Sequence, residues 1–134
     1  MERNKKVFIF GVFDGLHDGH RFFIEESAKL GTELVISVAR DEYVRKYKEK
    51  EPKNLLSARI QSIKDNYREA KVIEGDSEIE SWKSLQEEKP DIIALGYDQN
   101  KLKEVLENKT WDNFYPKIVI IKPHLNNKLH TSNL

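Results

Sequence analysis

Residues 7–20 read VFIFGVFDGLHDGH, an apolar run followed by glycines, acidic residues and two histidines. The run Val7–Phe13 predicts a buried β-strand, because it is continuous, short and rich in β-branched and aromatic residues. The apolar spacing that follows predicts a helix from about Gly19 to Leu30. His17 and His20 therefore fall where a strand passes into the first turn of a helix.

Such a junction suits an anionic ligand, because the first N–H groups of a helix are unpaired and carry the positive end of its dipole. Gly11 and Gly19 have no side chains, so a ligand can approach the backbone closely. Two imidazoles three residues apart can hydrogen-bond phosphate oxygens and stabilise negative charge that develops during a reaction.

Two other interpretations of the histidine pair are weaker. A zinc site is disfavoured, because the chain has no cysteine and no further histidine or acidic cluster with ligand spacing. A surface turn with incidental histidines is disfavoured by the glycines, by Asp14 and by the change from strand to helix pattern. The pair is best explained as an anion-binding site.

The composition places limits on the kind of protein. The chain has 134 residues, 38% hydrophobic and 34% charged, which predicts one globular domain spanning residues 1–134. Lys+Arg and Asp+Glu both number 23, so no basic field suggests a nucleic-acid partner. The lack of cysteine fits a cytoplasmic protein, and neither a signal peptide nor a membrane-spanning run is expected.

Apolar segments and helical patterns alternate along the rest of the chain. This alternation predicts an α/β fold with a Rossmann-like, doubly wound, five-stranded parallel sheet in three α/β/α layers. The four further strands are expected at Glu33–Ala39, Lys71–Glu74, Asp91–Leu95 and Lys117–Ile121, and the later helices at Leu56–Tyr67, Ile79–Glu88 and Lys101–Asn108.

Polar residues follow three of these strands directly. The loops after the first, second and fourth strands leave the same edge of a parallel sheet, which is where open α/β sheets bind ligands. His17, His20, Asp41 and Asp98 are therefore expected to converge. The dense charges of residues 43–52 are typical of a solvent-exposed helix face for most members.

The motif at residues 11–20, GVFDGLHDGH, resembles the Gly-Thr-Phe-Asp-x-x-His-x-Gly-His signature of the cytidylyltransferase-like nucleotidyltransferases. Val12 stands where the signature has threonine, which removes a hydroxyl that could contact phosphate. Residues 36–42 and 89–99 look more like archaeal-type FAD synthases than like glycerol-3-phosphate cytidylyltransferases. Those FAD synthases carry cysteines near the tail, however, and this chain has none.

The resemblance implies an enzyme that moves the nucleotidyl group of a nucleoside triphosphate to a phosphomonoester and releases pyrophosphate. ATP is the favoured donor, and FMN is one candidate acceptor. A CTP-dependent enzyme acting on glycerol 3-phosphate or a similar polyol phosphate is the alternative. A catalytically silent nucleotide-binding module is an alternative of another class.

The resemblance also assigns roles to residues. Asp14 is expected to orient the histidines or a water on Mg²⁺, which would arrive with the nucleotide and have no direct protein ligand. A mobile loop bearing Lys46 and Lys48 is expected to close over the triphosphate, and residues 128–132 partly match a second, phosphate-binding signature. The residues expected to take part in catalysis are His17, His20 and Lys46, and those expected to bind the acceptor are Asp41 and Arg59. The residues expected to bind the nucleotide or its phosphates are Gly11, Val12, Phe13, Asp14, Gly19, Lys48, Arg59, Gly96, Tyr97, Asp98, Lys128, Thr131 and Ser132.

A second copy of the chain is the expected macromolecular partner. Small sheets of this kind often dimerise, and an aromatic group near the fifth strand could serve a homodimer interface. Its members are Trp111, Phe114 and Tyr115.

Overall fold

The computed structural model describes residues 4–78 and 81–123, which form a five-stranded parallel sheet with helices on both faces. The predicted doubly wound α/β fold is confirmed. The elements in chain order are β1 (Lys6–Gly11), α1 (Asp18–Ala28), β2 (Glu33–Val38), α2 (Asp41–Tyr47), α3 (Leu56–Asn66), β3 (Lys71–Glu74), α4 (Lys83–Glu88), β4 (Ile92–Gly96), α5 (Asn100–Glu107) and β5 (Lys117–Ile121).

The strand order is β3-β2-β1-β4-β5, so the direction of winding reverses between β1 and β4. β1 pairs with β2 along its whole length, from Lys6 opposite Glu33 to Gly11 opposite Val38. With β4 it pairs only at Val7 and Phe8. The two central strands therefore separate towards their carboxyl ends, which opens the sheet at the point where such folds bind ligands.

Alternate residues of β1 supply the two halves of the core. Val7 and Ile9 belong to the cluster that contains Ile24 of α1 and Ile63 of α3. Phe8 belongs to the opposite cluster, with helices α4 and α5. Because both faces of the sheet are covered, the central strands are apolar on both sides, and their sequences show continuous rather than alternating hydrophobicity.

Two helices differ from their predicted form. α1 ends at Ala28, two residues before the predicted end at Leu30, and its buried residues are Ile24 and Ser27. α4 begins only at Lys83, because Trp82 has a left-handed backbone (φ 55°) that a continuing helix cannot contain. The predicted start of that helix, residues 79 and 80, lies outside the described residues.

The aromatic group expected at a dimer interface belongs mainly to the core. The Trp111 ring lies 6.3 Å from Trp82 and 5.3 Å from Phe114, centroid to centroid, and Phe114 is buried. Tyr115 is 89% exposed. The homodimer stays a prediction.

None of the helices within residues 4–78 and 81–123 combines the length and apolar character needed to cross a membrane.

Candidate active site

The turn between β1 and α1 begins earlier than the sequence pattern predicts. β1 ends at Gly11, and Phe13 has a left-handed backbone (φ 53°) instead of an extended one. That conformation costs a bulky residue about 1–3 kcal/mol, and such strain is concentrated at functional sites. The Phe13 ring folds back over Gly11, where an added Cβ would lie 2.5 Å from it. Glycine at position 11 thus makes room for Phe13, and the approach of a ligand at Gly11 stays a prediction.

His17 is the N-cap residue of α1. Its Nδ1 accepts hydrogen bonds from the backbone N–H groups of Gly19 (3.1 Å) and His20 (3.4 Å). Because an N–H group can only donate, Nδ1 carries no proton, and neutral His17 holds its proton on Nε2. The Nε2–H bonds to none of the described residues and remains a donor for a ligand.

His20 has the opposite arrangement. Its Nδ1 lies 3.1 Å from the carbonyl oxygen of Gly15, and since a carbonyl can only accept, Nδ1 carries the proton. Neutral His20 therefore presents an acceptor at Nε2, and protonated His20 presents a donor. Burial, followed by the nearby charge of His17, lowers the pKa of His20, and the Gly15 carbonyl and Asp14 oppose this shift.

The two imidazoles form a stacked pair at the start of α1. Their ring centroids are 3.7 Å apart with planes inclined by 20°, and the Phe13 ring packs edge-on against His20 at 5.4 Å. Hydrogen bonds and ring contacts thus fix both side chains before any ligand arrives. Such a preorganised pair can stabilise charge on a phosphate without further rearrangement.

Arg59 lies beneath this turn and is only 1% exposed. Its Nε donates to the carbonyl of Asn54 (2.9 Å) and its Nη1 to the carbonyls of Val12 (2.9 Å) and Ala39 (2.8 Å). Its Nη2 donates to the Asp41 carboxylate (2.5 Å). Its nitrogens thus join three segments of the chain, which are the histidine turn, residues 39–41 and the loop before α3, while phosphate binding by Arg59 stays a prediction.

The two carboxylates near Arg59 also have protein partners. Burial would raise the pKa of Asp41, but Arg59 and the Leu56 N–H outweigh it and hold the pKa below 3.8. Burial likewise opposes ionisation of Asp14, whose pKa is lowered by hydrogen bonds from Lys53 (2.6 Å) and Asn54 (2.9 Å). These contacts fix the loop before α3, and the expected roles, acceptor binding by Asp41 and histidine orientation by Asp14, stay predictions.

Lys53 and Asn54 are site residues that the sequence did not reveal. Asn54 contributes both its N–H and its side-chain amide to Asp14, the latter at 3.1 Å. Asp14 lies 39 residues before Lys53 in the chain, so no local pattern links them. Only the folded arrangement shows that this loop and the histidine turn form one unit.

The charged stretch expected as a mobile loop begins as helix α2. Val44 is fully buried and anchors the helix, and its acidic first turn and basic last turn complement the helix dipole. Lys46 lies in the last turn with its Nζ 5.4 Å from the Tyr47 ring centroid, and Lys48 is the C-cap. Neither ammonium has an ion-pair partner in the described parts of the chain, so both are available to a ligand.

The loop after β4 contacts β1 across the gap between the two strands. The Gln99 side chain accepts from the Gly96 N–H (2.8 Å) and donates to the Phe10 carbonyl (3.5 Å), beyond the last β1–β4 pair. Tyr97 and Asp98 are exposed, and no hydrogen bond joins them to the histidines in the described structure. Gln99 was not among the predicted site residues, although it follows a glycine at a strand end, a position where binding residues are common.

Some expectations fall beyond these observations. Lys128, Thr131 and Ser132 lie outside the described residues. Within residues 4–78 and 81–123, no group of three or more His, Cys, Asp or Glu side chains is arranged to hold a metal ion.

Comparison with known proteins agrees with this geometry. A family profile described as cytidylyltransferase-like matches residues 8–134. FAD synthase of Thermococcus sibiricus is 38% identical over 115 residues, covering 81% of this chain and 78% of that protein. FAD synthase of Archaeoglobus profundus is 41% identical over 110 residues, covering 78% of this chain and 68% of that protein.

A solved structure shows the same fold. This lipopolysaccharide core biosynthesis protein from Thermoplasma volcanium is 36% identical to this chain, with a TM-score of 0.76. The match covers 90% of this chain and 98% of that one. With the family profile spanning nearly all of the sequence and a histidine pair at the start of α1, the chain belongs to the cytidylyltransferase-like family of nucleotidyltransferases.

Proposed function

We propose that this chain transfers the adenylyl group of ATP to the phosphate of FMN, forming FAD and releasing pyrophosphate. The observation that carries the proposal is the similarity to proteins named FAD synthase, at 38% and 41% identity over most of the chain. The stacked histidines at the start of α1 supply the chemistry that such a transfer needs.

The reaction joins two anions. An oxygen of the FMN phosphate attacks the α-phosphorus of ATP in line, and the bond from that phosphorus to the β-phosphate bridging oxygen breaks. Pyrophosphate leaves with the electron pair of that bond. The protein has to align the reactants and offset their charge, and it needs no covalent nucleophile.

The histidine pair would act at the α-phosphate. The Nε2–H of His17 donates to a non-bridging oxygen, and His20 donates from Nε2 once it is protonated. An anionic nucleotide favours the protonated form of His20, which opposes the lowering of its pKa by burial. Mg²⁺ bound to the triphosphate would neutralise further charge without a protein ligand.

The nucleotide would lie over the opening between β1 and β4. Tyr97, 60% exposed, offers a ring face to the base beside Gly96 and Asp98. Gly19 and the turn at Val12 and Phe13 would lie against the phosphates. Lys128, Thr131 and Ser132 are proposed for the β- and γ-phosphates, on the basis of the sequence signature alone.

A preference for ATP over CTP of at least about tenfold in kcat/KM is expected, because the wrong base leaves a buried polar group unpaired at a cost on the order of 1–3 kcal/mol. The direct test measures pyrophosphate release with four nucleoside triphosphates, each against FMN, glycerol 3-phosphate and phosphopantetheine. Faster turnover of CTP with glycerol 3-phosphate would identify a cytidylyltransferase instead. No release with any pair would identify a silent nucleotide-binding module.

Removing the ammonium of Lys46 or Lys48 is expected to raise the KM for ATP several-fold, and added salt should weaken the difference from the unmodified protein. Lys46 is also proposed to contribute to kcat. Steady-state kinetics of Lys46→Ala and Lys48→Ala provide the measurement, with Lys83→Ala as the control for an exposed lysine of α4. If all three variants behave alike, α2 takes no part in nucleotide binding. A rise in KM for the acceptor alone would move Lys46 to the acceptor side of the site.

Three partner and location expectations remain part of this proposal. The protein is proposed to act in the cytoplasm, as a homodimer, and without a nucleic-acid partner. The absence of cysteine supports the cytoplasmic location, and the equal numbers of basic and acidic residues support the absence of a nucleic-acid partner.

A further inference from the structure

A cleft of about 490 Å³ lies between α2 and residues 76–78, which follow β3. It opens at the carboxyl ends of β2 and β3, the edge of the sheet that also carries the histidine turn. Its volume falls within the range of small-molecule sites, roughly 300–1,000 Å³. Among the described residues proposed above to contact the nucleotide, Lys46 alone also lines this cleft.

One wall of the cleft is aromatic. Tyr43 and Tyr47 lie one turn apart on α2, with ring centroids 5.0 Å apart and planes inclined by 32°. Val44 takes the inward position of this helix, so the two rings flank the cleft instead of entering the core. Tyr47 is 48% exposed, and the Lys46 Nζ lies 5.4 Å from its ring centroid, so a flat ligand that stacks on this ring would displace that ammonium.

Both sides of the cleft are held in place. Arg40, just before α2, donates to the Gly75 carbonyl (2.7 Å) and pairs with Glu74 (3.1 Å), which ties α2 to the end of β3. On the opposite side, the Asp76 carboxylate accepts from the N–H and the hydroxyl of Ser84 in α4. The cleft is therefore part of the folded framework.

The charges of the lining disfavour a polyphosphate. Arg40 is already paired with Glu74, so among the described lining residues three carboxylates face one unpaired ammonium. Carboxylates and a hydroxyl suit a ring system whose edge carries N–H or O–H donors, and two tyrosines suit its flat faces. The carboxylates are Glu42, Asp76 and Glu78, the ammonium is that of Lys46, and the hydroxyl is that of Ser77.

The cleft is joined to the catalytic turn by hydrogen bonds. Asp41 opens α2 and accepts from Arg59, which also donates to the carbonyl of Val12 in the histidine turn. An acceptor with its ring beside α2 would thus lie on the same framework as the histidines that act at the α-phosphate, which the acceptor's phosphate attacks. This connection favours the acceptor over an unrelated ligand.

We propose that Tyr43 and Tyr47 bind the flat heteroaromatic ring of the acceptor, the isoalloxazine ring of FMN. The inference rests on the proposed function for its choice of ligand. It makes the two tyrosines determinants of acceptor specificity, because an acceptor without a ring, such as a polyol phosphate, gains nothing from them.

The test compares Tyr43→Leu and Tyr47→Leu with Tyr115→Leu, which removes a tyrosine that is 89% exposed and outside the cleft lining. Each cleft variant should raise the KM for FMN about tenfold and leave the KM for ATP unchanged, since stacking on an aromatic side chain is worth about that factor. FMN binding without nucleotide, followed by quenching of flavin fluorescence, should weaken by the same factor.

The outcomes separate the two proposals. If the unmodified protein adenylylates FMN but the cleft variants keep its KM and its affinity for FMN, the tyrosine site is wrong and the function stands. If FMN binds, and does so less tightly in the cleft variants, but no transfer occurs, the site stands and the proposed function is wrong. Neither binding nor transfer of FMN would overturn both.

Discussion

His17→Ala and His20→Ala are each expected to lower kcat by roughly two orders of magnitude or more, with little change in ATP affinity. The added charge on the α-phosphate exists only in the transition state, so a donor aimed at it contributes there and not in the ground state. Losing one such donor usually costs a factor of about 10²–10³ in kcat. Rapid-quench or steady-state kinetics, together with ATP titration, would measure the two effects separately.

Alanine at position 17 has a second consequence, because His17 is also the N-cap of α1. Loss of an N-cap costs about 0.5–2 kcal/mol of stability, which could lower activity without any role in chemistry. His17→Asn separates the two roles, since asparagine is a good N-cap but is too short to place a donor where the imidazole Nε2 lies. We expect this variant to unfold at nearly the temperature of the unmodified protein and still to lose most of its kcat.

The matched change at the other position is His20→Asn, whose amide can still donate to the Gly15 carbonyl in place of Nδ1. It should keep the turn and lose turnover. Near-normal kcat in either asparagine variant would show that the stacked pair is structural and that the charge is stabilised elsewhere.

Much of the fold could be predicted because its signals are local. Each strand is a short apolar run between turn residues, and five runs alternating with helical patterns leave few possible topologies. The position of His17 and His20 at a strand-to-helix junction follows from the same patterns. What these patterns do not contain is the backbone of Phe13, whose left-handed φ depends on the room beside Gly11.

The contacts around the site could not be predicted for a different reason. Arg59 lies 47 residues from Val12 and 18 from Asp41, and arginine at a helix start is ordinarily exposed. Nothing local distinguishes an arginine that binds phosphate from one that is buried against carbonyl groups. The same holds for α2, where the charge density indicated a solvent-exposed helix face and the family resemblance implied a mobile loop; the helix is anchored by one fully buried side chain, Val44.

Arg59→Met is expected to destabilise the protein by about 3–5 kcal/mol, the usual result of removing one partner from a buried ion pair. The variant leaves the Asp41 carboxylate without its cation and three carbonyl groups without a donor. Denaturant unfolding followed by tryptophan fluorescence gives the free energy of unfolding. Arg45→Met is the control, because Arg45 is exposed and its ion-pair partner among the described residues is the exposed Glu51, so its loss should cost less than about 1 kcal/mol.

The pH dependence of stability gives an independent readout of the same pair. The pKa of Asp41 is lowered in the folded state, so the unfolded chain binds its proton more readily. Its contribution is therefore present above pH 3.8 and is lost as the pH falls through the folded pKa. Arg59→Met should lose less stability than the unmodified protein over this acidic range, because the favourable interaction is already gone.

Arg59→Lys separates a positioning role from phosphate binding. Lysine keeps the charge but cannot reach four acceptors with one planar group, so we expect it to recover only part of the lost stability. In the folded fraction, kcat should fall more than the KM for ATP rises, because the Val12 carbonyl no longer fixes the histidine turn. The opposite result would be an Arg59→Met variant that is as stable as the unmodified protein but has a KM for ATP raised many-fold, with Arg59→Lys restoring that KM. This would show that Arg59 leaves these partners and binds phosphate directly.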